Sequence, residues 1–273
     1  MPWRRRAREP VQAAQASRRY SWGLVMVERE TPLPVLVCLR IAQRIRIDGD
    51  IHKPPWLEIP PVWLLPSHGR TREMGVSSEE ALRHLEADAP PLPHAMPFQP
   101  TALRVCYDET QLYVAFQCID RDIFGSYSGR NEPIYTEDVV EAFLAPASDP
   151  RRYFELETNP RGAWFEASVS SPHCDRRSMV VDTSWVCEGW RRGVRVRGTL
   201  DRRDDIDCWW SVEWAIPFRS LGGARPPRRG ERWRANFFRI DRAGQGEFSS
   251  WSATLAEPPD FHRPLRFGVL EFG

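Results

Sequence analysis

Apolar and polar residues alternate with a period of two through most of the chain beyond residue 100, which is the signature of strands. Leu103, Val105 and Tyr107 alternate with Arg104 and Cys106, and Leu112-Tyr113-Val114-Ala115-Phe116 follows a tight turn at Asp108–Gln111. The same reading predicts strands over Val139–Leu144, Tyr153–Thr158, Ala163–Val169, Val194–Leu200, Trp210–Ile216, Trp233–Ile240, Phe248–Trp251 and Phe267–Phe272. Nearer the start, Val35–Leu39 and Ile45–Ile47 read as short strands, the second closed by the turn residues Asp48-Gly49-Asp50. Short strands separated by Gly, Pro and Asp turns predict an all-β fold, a two-sheet antiparallel β-sandwich. No strand–helix–strand alternation points to a parallel α/β sheet, and no fixed repeat points to a propeller.

Two stretches break the pattern. Residues 1–33 carry neither period and are expected to form a flexible arm, leaving 34–273 as the sandwich. Residues 66–100 are polar and end in Pro90-Pro91-Leu92-Pro93. Within them Ser77 and Glu80 have capping-box spacing, and Ala81, Leu82 and Leu85 make a narrow apolar stripe. A short helix over 78–87 inside a loop insertion follows, because that stripe is too small to make a core of its own.

Composition sharpens this picture. Twelve Trp and 25 Pro against 17 Gly favour strands, loops and large aromatic contacts over long helices. Net charge is +1, and Lys53 is the only lysine. Acidic and basic residues are interspersed, so no nucleic-acid-binding stripe is present; the basic tip at Arg4, Arg5, Arg6 and Arg8 reads as a solvated tail. None of the six cysteines has CxxC spacing. A hairpin pairing Tyr107 with Leu112 sets Cys106 opposite Tyr113 and Cys118 opposite Thr101, too far apart to bridge. Free cysteines fit a reducing compartment. No run approaches the ~18 apolar residues that span a membrane, and no secretory signal is visible. As written the chain is expected in the cytoplasm, or outside the cell if the true start differs.

Several short motifs, in order, are similar to those of one family. Ile47-Asp48-Gly49-Asp50 with Pro55-Trp56 resembles an "IDG…W" opening, and Tyr107-Asp108-Glu109 with Leu112-Tyr113-Val114 resembles a "DDxxLYV" hairpin. Glu137-Asp138-Val139-Val140-Glu141-Ala142-Phe143 resembles a "D-x-V-E-x-F" strand, and Tyr153-Phe154-Glu155 with Asn159-Pro160-Arg161-Gly162 resembles the hairpin after it. Glu213-Trp214-Ala215-Ile216-Pro217-Phe218, then Trp233–Phe237, Trp251-Ser252 and Phe261-His262-Arg263-Pro264 with Phe267-Gly268 complete the set. From about 34 to 273 the chain resembles the family 9 carbohydrate-binding modules and their stand-alone relatives.

That resemblance implies non-catalytic binding of a terminal sugar between two loop aromatics. The positions that match are Tyr135 and Phe261, where the best-known modules carry Trp. They are expected to face each other across a cleft at one end of the sandwich, with Glu141 at its floor receiving sugar hydroxyls. The family's arginine on the next strand is replaced by Glu155, which cannot donate; Arg239 is the candidate substitute, and Trp164 a further aromatic. The resemblance also implies structural calcium, for which Asp120, Asp122 and Asp138 are candidates, although no EF-hand spacing exists. The other tryptophans read as core, because they fall within strand patterns.

No nucleophile elbow, HExxH, P-loop or dinucleotide fingerprint appears, so no enzyme is expected. Glu155 with Glu157, and Asp204, Asp205 and Asp207, read as surface charge rather than a glycosidase pair. The expected partner is carbohydrate, without nucleic acid or membrane. Two alternatives stay open. Relatives of this sandwich hold haem, for which Met74, Met96, Met179 and His173 would be the axial candidates. The chain could also be a scaffold without a small ligand.

Overall fold

The strand pattern has a specific three-dimensional outcome. The computed structural model describes residues 32–69, 77–91, 98–222, 226–242 and 246–273. The expected arm at 1–33, except its last two residues, and the basic tip lie outside the described residues. Among the described residues there are fourteen strands: β1 (Val35–Arg40), β2 (Val62–Trp63), β3 (Leu65–Pro66), β4 (Thr101–Tyr107), β5 (Gln111–Ile119), β6 (Val139–Ala145), β7 (Arg152–Thr158), β8 (Trp164–Ser170), β9 (Val180–Asp182), β10 (Arg191–Arg197), β11 (Trp209–Pro217), β12 (Arg232–Asp241), β13 (Glu247–Ser250) and β14 (Gly268–Phe272). One α-helix, α1 (Ser78–His84), lies in the 66–100 region, and the Ser77 hydroxyl accepts the Glu80 N–H at 3.1 Å as its cap.

One sheet runs β10-β11-β5-β4, and the other runs β14-β12-β6-β7-β8-β9. The hairpin register is as expected: Tyr107 pairs with Leu112, Cys106 with Tyr113 and Thr101 with Cys118. All six cysteines are free. The antiparallel expectation fails at β1, which runs parallel to both β14 and β4 and joins the two sheets along one edge. Alternation identifies a strand, but only a tight turn to its neighbour fixes direction, and β1 has none.

Between the sheets lies the main core. Leu103, Val105, Val114, Phe116, Trp210, Val212 and Trp214 from one sheet meet Val140, Ala142, Leu144, Leu156, Ala235 and Phe237 from the other. The first sheet is covered on its outer face as well. Ile45, Ile51, Trp56 and Ile59 pack on Cys106, Tyr113, Ala115 and Ala215. Ala81 and Leu85 of the α1 region pack on Ala102, Ile119 and Trp209. Double coverage explains why β5 and β11 read as nearly unbroken apolar runs. It also explains why Ile45–Ile47 is not a strand: these residues form an irregular strap whose apolar side chains lie on the sheet.

Two of the sequence motifs prove to be parts of one fastening. The buried Glu213 carboxylate accepts the Asp48 N–H at 3.0 Å, the Gly49 N–H at 2.8 Å and the Trp56 indole N–H at 2.7 Å. Lys53 Nζ lies 3.1 Å from it and 2.6 Å from Asp48. Burial pushes the Glu213 carboxyl up, and the hydrogen bonds oppose that shift. Here the strap comes so close to β10 that a Cβ on Gly193 would meet Gly49 N at 2.4 Å, so only glycine fits. The hairpin motif is equally structural: Asp108 accepts the Thr110 N–H at 2.6 Å, the Gln111 N–H at 2.9 Å and the Tyr113 hydroxyl at 2.7 Å.

Candidate functional site

The outer face of the second sheet carries a different chemistry. Cross-strand pairing sets Phe238 beside Glu141, Glu141 beside Glu157, and Glu157 beside Phe165, in one row across β12, β6, β7 and β8. In the next row Phe143 pairs with Glu155, and Glu155 with Ala167. Val139, Phe143, Tyr153, Phe165, Phe238, Ile240 and Phe261 form the apolar surround of this face. Over it opens a cleft of about 530 Å³ whose lining includes Tyr135, Glu141, Glu155, Glu157, Phe261 and His262. The structure thus brings three of the five candidate sugar-binding residues to one cleft, on the face of a sheet rather than at an end of the sandwich.

The two aromatics are held differently. Tyr135 sits in a 3₁₀ turn, Ile134–Thr136, anchored by the buried Ile134 and by the Thr136 hydroxyl donating to the Pro133 carbonyl at 2.7 Å. Its ring is 45% exposed and meets Phe165 edge-on, with centroids 6.0 Å apart. Phe261 is 7% exposed and stacks on Phe238 at 4.2 Å and 16°, with Phe248 at its edge. Phe261 is therefore part of the outer core as well as a cleft wall.

Glu141, Glu155 and Glu157 are only 3%, 5% and 1% exposed, so Glu155 and Glu157 are not the surface charge expected from the sequence. One oxygen of each lies within 4.8 Å of the other two. Burial, reinforced at Glu141 and Glu157 by the neighbouring carboxylates, pushes all three up, Glu155 to about 7. His262, which the sequence reading passed over, lies with Nε2 3.8 Å from Glu155 Oε1 and Nδ1 2.7 Å from the Tyr153 hydroxyl. Burial lowers its pKa to about 4, so the ring is neutral at pH 7. Its proximity to Phe261 in the closing motif was the available signal.

Arg239 and Trp164 do not join the cleft. Phe238 packs on Phe261 and Ile240 lines the cleft, so alternation turns Arg239 to the opposite face. There it is fully buried, its Nη2 2.8 Å from Asp120 and 2.7 Å from Asp241, and its Nη1 2.8 Å from the Ile119 carbonyl. Trp164 likewise points away from Phe165, under the Arg192 guanidinium at 4.0 Å, with its indole N–H on Glu166.

The calcium candidates do not fit a calcium ion. Asp120 already holds Arg239 and accepts the Trp210 indole N–H at 3.0 Å. Asp122 pairs with Arg203, and Asp138 accepts the Phe124 and Arg242 backbone N–H groups at 2.8 and 2.7 Å. Apart from the buried Asp122 Oδ1, their oxygens serve protein donors, and a guanidinium occupies the place of positive charge beside Asp120. Among the described residues the one group of three converging metal-ligand side chains is Glu141, Glu155 and Glu157. Of the haem candidates, Met74 and Met96 lie outside the described residues. Met179 is near the Tyr153 hydroxyl, and the His173 backbone N–H is bonded to Ser178 in an exposed loop.

A larger groove of about 960 Å³ runs past Pro146, Tyr153, Phe154, Val169, Leu221 and Trp233. Its charged residues, Arg152 and Glu231, form no convergent cluster such as the three glutamates make, so the smaller cleft is the better site. No helix among the described residues is long and apolar enough to cross a membrane.

Comparison with known proteins gives consistent results. Residues 91–272 match the model of carbohydrate-binding family 9. A protein of Arthroderma benhamiae described as an extracellular protein is 27% identical over 152 residues, which are 54% of this chain and 66% of that protein. A structure of a candidate carbohydrate-binding protein from Bacteroides uniformis superposes with a TM-score of 0.63 at 19% identity, over 89% of this chain and 100% of the other. A carbohydrate-binding module of family 9 from Caldicellulosiruptor kristjanssonii, in complex with cellotriose, superposes with a TM-score of 0.53 at 13% identity, covering 86% and 92%. The same organism's family 9 module in complex with glucose gives 0.52 at 14% identity, covering 88% and 96%.

Proposed function

Since the chain belongs to carbohydrate-binding family 9, we propose that it binds a terminal sugar in the cleft walled by Tyr135 and Phe261, and carries out no chemistry on it. One observation carries this reading: an exposed aromatic, a second aromatic and a carboxylate floor line the same cleft. A sugar ring has apolar C–H faces, which the aromatic surfaces receive, and a hydroxyl rim. Carboxyl oxygens accept hydroxyl hydrogens, and a carboxyl that burial keeps protonated also offers one O–H donor. The three carboxyl groups at the floor therefore suit a ligand rich in hydroxyls. Family 9 modules are binding modules, and the chain is read as a binder, not an enzyme.

The relatives in complex with glucose and cellotriose make these the first ligands to test. No tryptophan among the described residues lines the cleft, so calorimetry is a better probe than tryptophan fluorescence. Saturable heat with either sugar, weakened in Tyr135→Ala, supports the reading. Absence of heat across a panel of mono- and oligosaccharides would favour a scaffold without a small ligand.

A further inference from the structure

The cleft floor gathers more carboxyl groups than the chain around it supplies with cationic partners. Three glutamates, each at most 5% exposed, converge there, with one oxygen of each within 4.8 Å of the other two. The nearby Arg176 is 57% exposed and donates its Nε to Asp260 at 2.7 Å. The other guanidinium in the lining, Arg242, lies over the Phe248 ring at 5.1 Å. Independently of the convergence, Glu157 Oε2 is buried and accepts no hydrogen bond. A buried carboxylate oxygen without a donor is among the costliest groups a fold can carry, and it is commonly answered by a metal ion.

His262 adds to this. The Tyr153 hydroxyl engages Nδ1 at 2.7 Å, while Nε2 is turned toward Glu155. An imidazole held by one nitrogen, with the other beside carboxylates, is arranged as metal-bound histidines are.

We infer that Glu141, Glu155 and Glu157, with His262 beside them, form a binding site for an oxygen-preferring divalent cation of the calcium or manganese kind. Calcium takes oxygens at about 2.3–2.6 Å, so ligands on its sphere are separated by at most about 5 Å. Oxygens of the three glutamates lie within 4.8 Å of one another, inside that separation. Three carboxylates also hold up to six oxygens, the lower end of calcium's requirement. The ion site stands on this geometry alone. On the sugar-binding reading above, and resting on it, the ion would offer coordination positions to sugar hydroxyls, where the family's arginine would have offered N–H donors.

The test uses the full chain, stripped with chelator, and CaCl2 or MnCl2 followed by calorimetry and by thermal melting. The expected result is one ion per chain with a raised melting temperature. Glu157→Gln and Glu155→Gln should each weaken ion binding at least tenfold and shrink that rise. Without metal, both variants should melt at or above the stripped wild-type chain, since each replaces one of three crowded, buried acids with a neutral amide. No ion binding at millimolar metal, or wild-type affinity in both variants, overturns the site. Tight binding of glucosamine but not glucose, with no effect of either metal, also overturns it and assigns the glutamates to an ammonium. The two readings fail separately. Ion binding with no heat from glucose or cellotriose removes the sugar reading and leaves the ion, and sugar binding unchanged in chelator without ion binding does the reverse.

Discussion

Replacing Glu213 with alanine should be among the most damaging single changes in the first sheet. The carboxylate accepts the Gly49 N–H and the Trp56 indole N–H, both buried, and the part-buried Asp48 N–H and Lys53 ammonium. Lys53 and Asp48 N can turn to water, but the two buried donors cannot. A buried donor left unsatisfied costs about 1–3 kcal/mol, so their loss alone predicts about 2–6 kcal/mol. Glu213→Gln keeps one acceptor oxygen but points an amide N–H at former donors, and should cost about 1–3 kcal/mol. Urea unfolding of the wild type and both variants measures this. The m-value should stay constant, since the surface exposed on unfolding is little changed. The sugar affinity of folded Glu213→Gln should equal that of the wild type, because the strap lies on the other sheet. A Glu213→Ala variant destabilised by less than about 1 kcal/mol would refute the reasoning, and Glu213 would then not be the fastening that links the two motifs.

Other predictions follow from the same contacts. Gly193→Ala should unfold in less urea than the wild type, since its Cβ would sit 2.4 Å from Gly49 N. Arg239→Met should lose about 3–5 kcal/mol, because Asp120 and Asp241 remain buried without their cation; sugar affinity in the folded fraction should not change. Phe261→Ala should lower both stability, by about 3–5 kcal/mol as a buried Phe truncation, and sugar affinity; unchanged stability would remove its role in the outer core.

Much of the fold could be read from residue pattern, because the β4–β5 hairpin has a turn that fixes its register. Where the pattern was silent, a physical reason is visible. The Ile45–Ile47 run is apolar because it lies on a sheet, and a strap and a strand leave the same trace over three residues. Glu155 and Glu157 alternate with Phe154 and Leu156 as they would on a solvated face; only the loops folded above show that this face is covered. Arg239 is the instructive error. Its neighbours Phe238 and Ile240 share a face with Glu141 and Val139 through strand pairing, so Arg239 cannot. That parity argument needs the β6–β12 pairing, which no local sequence signal supplies. Tyr135, Phe261 and Glu141 came from the family resemblance, and His262 was missed because a lone histidine in a loop carries no periodicity.

If sugar binds in the cleft over the second sheet, Tyr135 is the residue whose removal should show it. It is the exposed wall, its ring edge-on to Phe165, so its removal should disturb the core little. Stacking on one ring is worth about 0.5–1.5 kcal/mol beyond area. Calorimetric titration of glucose and cellotriose into wild-type and Tyr135→Ala protein, with melting temperatures recorded alongside, is the measurement. The expected result is a several-fold to roughly tenfold loss of affinity with a melting temperature close to wild type. Sugar binding of undiminished affinity in folded Tyr135→Ala would contradict it and move the site elsewhere.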